Sequence, residues 1–224
     1  RMERALGIRI DDLLAAGLGA EGVPEAVRGG LSEVAVMRAT RAMLAFDLPK
    51  VLAFSKLALA CLAGQHDGLF SPADALRGVA THTLAVAYEY SGDTPRACET
   101  FAEAAALGRQ SGNMHIVPLA LSHRAQTQVL CGRLRDAEQT YRQALVAAEM
   151  AGQASPMVGV AHAGLGQLLW EWNDLQPATQ ALQRGIELGR RWSTAESLMA
   201  AYTGLARVRL AQGDAGGALE ILEE

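Results

Sequence analysis

Along this chain, apolar residues return every three or four positions, the spacing of one helix face, and each run stops at a short polar turn. Leu84, Ala87 and Tyr88 belong to one such run, which ends at Gly92-Asp93. Glycine accepts the left-handed geometry that closes a helix, so a helix end is expected there. A second run begins just beyond. It carries a small residue at Ala97, a large one at Phe101 and a small one again at Ala104. Positions i, i+4 and i+7 share one helix face. The small members let a neighbouring helix approach closely, and the large member fills the gap.

The same turn recurs. GDTPRA at 92 returns as GRLRDA at 132, NDLQPA at 173 and GDAGGA at 213, with a weaker copy, FDLPKV, at 46. The starts are 46, 40, 41 and 40 residues apart. The stripe returns with them as Ala137, Tyr141 and Ala144, then Ala178, Leu182 and Gly185, then Ala218 and Leu222. Helix pairs are expected at about 31–63, 73–111, 114–151, 156–191 and 194–224, with almost no strand signal. Pairs of this kind cannot bury their apolar faces alone and stack on their neighbours. The expected fold is all-α, a right-handed α-α superhelix of about five helix pairs with a concave side. Residues 1–22 read as the tail of an earlier pair, and 23–224 as the superhelical domain. The Gly-rich stretch 17–30 and the stretch 63–74 read as connectors, the latter accounting for the one long spacing.

Composition narrows the function. Half of the 224 residues are hydrophobic, yet no run of about 18 apolar residues is long enough for a membrane span. The first residues lack the apolar core of a secretion signal. Net charge is −4, with Lys50 and Lys56 the only lysines and no basic cluster, which argues against nucleic-acid binding by these residues. Cys61, Cys98 and Cys131 are odd in number and far apart, as expected of a reduced, cytoplasmic protein. His66, His82, His115, His123 and His162 show no metal-ligand spacing, so no metal is expected. No catalytic constellation is present, and the reading is not an enzyme. The chain starts at Arg1 and stops in LEILEE, within an apparent helix, so it reads as a piece of a longer protein.

The frame resembles tetratricopeptide repeats, whose ordinary period is 34 against about 40 here. In that family a small residue lies in the first helix of each pair, twelve positions before the small residue of the second. Ala85, Ala125, Gly166 and Ala206 hold that place, preceded by Leu84, Leu165 and Leu205 but by Arg124 in one copy. A period of 40 carrying GLGQLLWEWNDLQPATQALQRGIELGRRW at 164–192 is similar to the superhelical domain of MalT-type regulators, large ATP-binding LuxR-type transcription activators of bacteria. The resemblance covers about residues 24–224. It implies an arm that senses a small inducer or a regulatory protein, with ATP and DNA bound by other domains. No GxxxxGK[ST] loop occurs in these 224 residues, and no cofactor is expected in them.

Within this frame, the inner line of each first helix lies three before, one after and four after the small residue. It carries His82 and Glu89, Ser122 and Gln126, Gln167 and Trp170, and Thr203 and Arg207. An aromatic face among amide, hydroxyl and guanidinium groups suits a sugar, another polar metabolite or a peptide backbone. Packing alone would also account for these residues. In LLWEWNDLQ, at 168–176, Trp170 is expected to face inward and Trp172 to pack at the corner, against the turn or the following pair. The leading functional expectation is an effector-sensing domain of an ATP-dependent LuxR-type activator. The alternative is a stand-alone tetratricopeptide scaffold that binds a peptide segment of a partner. The apolar end around Leu219, Ile221 and Leu222 is expected to favour self-association.

Overall fold

The computed structural model describes residues 7, 9–15, 20–65, 71–151, 157–192 and 195–223. Helices alone build it, apart from one 3-10 turn at Ala20–Gly22. They are α1 (Ile10–Ala15), α2 (Glu25–Leu44), α3 (Leu48–Leu62), α4 (Pro72–Tyr90), α5 (Thr94–Gln110), α6 (Ile116–Leu130), α7 (Leu134–Met150), α8 (Met157–Glu171), α9 (Leu175–Trp192), α10 (Ala195–Ala211) and α11 (Ala215–Glu223). No strand occurs among the described residues. The chain divides into two compact units, Arg1–Ile116 and Val117–Glu224.

One device closes every pair. At Gly92 the backbone turns left-handed, with φ 82°. Its N–H donates to the Glu89 carbonyl at 3.0 Å, and the Asp93 N–H to the Tyr88 carbonyl at 2.9 Å. These are the two bonds of a Schellman motif, which satisfies carbonyls that a helix end would leave unpaired. The same pair of bonds follows Phe46, Gly132, Asn173 and Gly213. All five residues have φ between 54° and 83°. The next helix starts at once. Asp47 and Asp93 cap α3 and α5 by accepting from the N–H groups of Lys50 and Arg96, with Pro49 and Pro95 in the first turns. Proline loses nothing there, because those N–H groups have no helical partner.

In the first unit, Leu31, Ala35, Ala39, Val51, Ala58, Cys61, Ala80 and Ala87 form one core with Ile10 of α1. Further along α4, Ala85 and Val86 pack with Ala97 and Phe101 of α5. In the second unit Tyr141 and Leu182 each press on a glycine of the following pair. A Cβ on Gly164 would run into the Tyr141 ring, and one on Gly204 would lie 2.6 Å from Leu182 Cδ2. Ala97, Ala137, Ala178 and Ala218 are all buried, as are Phe101, Tyr141 and Leu182. Leu222, at the same place on α11, is 59% exposed beside Leu219 at 65%.

One boundary differs from expectation. The connector expected over 17–30 does not reach Gly30, because α2 begins at Glu25 directly after Pro24. Gly29 and Gly30 are helical, and the glycines misled because their cost inside a helix, about 1 kcal/mol each, is small beside the core that α2 closes. Residues 17–19, and 66–70 of the second connector, lie outside the described residues.

Candidate functional site

The inner line is best developed in the second unit, where α8 and α10, the first helices of successive pairs, pack side by side. Gln167 Nε2 on α8 donates to the Ala200 carbonyl of α10 at 2.8 Å and ties the two helices together. One turn further along α8, Trp170 is half-buried. The Arg207 guanidinium of α10 lies over its ring, 5.3 Å from the centroid. A cation over an indole face at an accessible site contributes about 0.5–1 kcal/mol. Thr203, one turn before Arg207 on the same helix, is exposed. This corner therefore presents an amphipathic ring, a guanidinium with spare donors and a hydroxyl. Such a set can stack on an apolar ligand face and hydrogen-bond its polar edge.

Other inner-line residues lie elsewhere. Ser122 is fully buried, its hydroxyl donating to the Pro118 carbonyl at 2.7 Å. Gln126, one turn on, is half-buried on α6. In the first unit, His82 is buried on α4 with its ring tilted against Phe101, centroids 5.5 Å apart, and Glu89 is half-buried. The position three before the small residue is thus buried at His82, Ser122 and Ala163, and exposed only at Thr203. Trp172 lies at the corner, where it also meets the preceding pair. Arg135 of α7 stacks over its ring at 4.5 Å.

A third aromatic–arginine contact, which the sequence did not signal, joins α9 and α10. Arg190 Nε donates to the Tyr202 hydroxyl at 2.8 Å, and its guanidinium lies 5.7 Å from that ring. The twelve-residue separation crosses a helix junction and carries no periodic signal. His162 on α8 is half-buried, and its pKa is pushed down to about 4, first by burial and then by the nearby Arg184 charge. It is neutral at pH 7. Among the described residues no group of three His, Cys, Asp or Glu side chains could hold a metal, and no helix is long and apolar enough to cross a membrane.

Comparison with known proteins fits this geometry. The family described as the MalT-like TPR region matches residues 32–224. The chain belongs to that family. No curated relative matches the sequence. Among solved structures, this MalT-like chain is similar to BtubC (BKLC) from P. vanneervenii, with a TM-score of 0.67 and 19% identity over 99% of this chain and 88% of that one. It is also similar to the putative kinesin light chain TPR-like repeats of Podosopora anserina, with a TM-score of 0.61 and 18% identity over 89% and 92%. Apo RapI matches with a TM-score of 0.65 and 12% identity over 87% of this chain. The chain spans about half of RapI, 52% of its length. At such identities the likeness is one of fold. The protein is a tetratricopeptide-like helical-repeat domain of MalT type.

Proposed function

We propose that this domain is the effector-sensing arm of an ATP-dependent LuxR-type transcription activator, and that the α8–α10 corner contacts the effector. One observation carries the reading: Trp170 stays half-buried with an exposed arginine over its ring and an exposed hydroxyl nearby. A tryptophan serving only the core would be enclosed by apolar side chains, whereas this one meets a polar, accessible rim. The effector class that fits is a polar small molecule with an apolar face, such as a sugar. Gln167 is held in place by one N–H bonded to the Ala200 carbonyl, and its Oε1 acceptor stands one turn from Trp170. In this reading the arm binds and transmits, while ATP and DNA are handled by other domains of the parent protein.

A thermal-shift screen of the domain against sugars and central metabolites tests this. A ligand at 100 times its dissociation constant stabilises by about 2.7 kcal/mol. That raises Tm by about 5–10 °C at 2–4 °C per kcal/mol. A hit that Trp170→Ala and Arg207→Ala both abolish supports the proposal. A hit indifferent to both variants refutes the assignment of this corner.

A further inference from the structure

The first pair departs from the repeat in a way the sensing proposal does not use. Eight residues before the left-handed turn residue, later copies carry Leu84, Arg124, Leu165 and Leu205, and five before it Ala87, Thr127, Leu168 and Val208. All but Arg124 are buried. The first copy has Arg38 and Arg41 instead. The face is apolar and closed at Leu84 and Ala87, Leu165 and Leu168, and Leu205 and Val208, carries one arginine at Arg124, and here alone carries two. A cavity of about 320 Å³ lies against it, lined by Asp11, Arg38, Arg41, Asp47, Lys50 and Phe54. That volume is at the lower end for small-ligand pockets.

We propose that this cavity binds a small carboxylate ligand, held by Arg41 and Lys50 with its apolar part against Ala45. Charge supports this. Three cations face two carboxylates, leaving a surplus of one. Arg38 is committed: it donates to Asp11 Oδ1 at 2.7 Å and lies over the Phe54 ring at 5.7 Å. That bond holds the Asp11 carboxyl below its ordinary pKa, so the pair stays intact near neutral pH. Lys50 touches Asp47 at 2.6 Å, but it is 63% exposed, and such surface pairs yield easily to a competing anion. Arg41 makes no ion pair among the described residues and is exposed. The ends of α2 and α3 meet at this corner with opposing dipoles, so side chains set the local charge. A monoanion matches the surplus, and Ala45 offers its apolar part an exposed contact, with Phe54 and Ala42 lining the floor at 4% and 7% exposure.

The rim is distinctive too. Between the lining residues Ala45 and Asp47, Phe46 is held at φ 54°, where the other turns have Gly or Asn. This conformation costs a bulky residue about 1–2 kcal/mol. Its ring is 73% exposed and meets Tyr90 edge-on at 6.0 Å. Strain of this kind gathers at ligand sites.

Calorimetric titration with benzoate at low ionic strength tests the proposal, beside N-acetyl-alanyl-phenylalanine, which presents the same group at a peptide terminus. Saturable one-site binding of at least one probe is expected, with none of benzyl alcohol. Affinity should fall about tenfold in Arg41→Gln, recover in part in Arg41→Lys, and stay unchanged in Arg96→Gln. Because Arg41 is exposed, the helical circular dichroism of Arg41→Gln should match the parent, which separates lost binding from lost fold. Preference for benzoate assigns the site to a free organic acid, and preference for the peptide assigns it to a chain terminus. No saturable binding of either probe, or undiminished affinity in Arg41→Gln, overturns the proposal.

Discussion

Replacing Gly164 with alanine tests how closely the pairs are stacked. In an open helix this change stabilises by about 1 kcal/mol, since glycine is the poorer helix former. Gly164 is not open. Its added Cβ would collide with the Tyr141 ring, which reaches across from α7 and is 2% exposed. A ring so enclosed has no room to withdraw, and overpacking of this kind costs about 1–3 kcal/mol. The balance runs from about zero to a net loss of about 2 kcal/mol, or up to roughly 8 °C in Tm, about 1–3 kcal/mol below the gain expected of an open site. Gly216 on α11 is the control, because its Cβ would meet nothing within 4 Å. Gly216→Ala should stabilise by up to about 1 kcal/mol. Thermal melts followed at 222 nm separate the two variants. In a Tyr141→Leu background the Gly164→Ala penalty should vanish, giving a coupling of about 1–3 kcal/mol. If Gly164→Ala stabilises as Gly216→Ala does, the ring is not wedged there and the account of inter-pair packing is wrong.

His162 makes the fold acid-sensitive. Its folded pKa of about 4 lies below the ordinary 6.5, so the unfolded chain takes up the proton first. Stability is untouched above pH 6.5 and falls by about 3 kcal/mol as pH drops through that window toward 4, a loss that His162→Gln should remove in pH-dependent melts. Burial raises the Cys61 thiol pKa and Cys98 is buried, whereas Cys131 is exposed. A disulfide reagent at pH 8 should therefore modify one thiol quickly, lost in Cys131→Ser, and a fast phase surviving that change would contradict the burial. Trp170→Ala should leave the helical circular dichroism nearly intact, since its ring is only half-buried, and a large loss of helicity would place it in the core.

Turns and stripes were legible because each rests on local chemistry. Gly92, Gly132, Asn173 and Gly213 are residue types that tolerate a left-handed helix end, and all four adopt it. Phe46 does not advertise that conformation, and only its place in the period marked it as the fifth turn. The site was less legible. Helical phase places His82 and Ser122 on the same line as Thr203, yet the first two are buried and Thr203 is exposed. Thr203 stands on α10, which has no following first-of-pair helix among the described residues. The partner of Trp172 was hidden because Arg135 lies in the preceding pair, 37 positions earlier. Arg38 and Arg41 lie off the inner line, and what marks them in the sequence is a pair of arginines at places held by Leu84 and Ala87, Leu165 and Leu168, and Leu205 and Val208 in other copies.

The most direct test of the central claim is the emission of Trp170 alone. A Trp172→Phe/Trp192→Phe variant keeps that single indole, and it would be titrated with the ligand that raises Tm in the sugar and metabolite screen. The account predicts a saturable change in Trp170 emission, with the dissociation constant that the stabilisation implies, lost in Arg207→Ala. Unchanged Trp170 emission under a ligand that still stabilises the domain would contradict it, because the effector would then bind away from the α8–α10 corner.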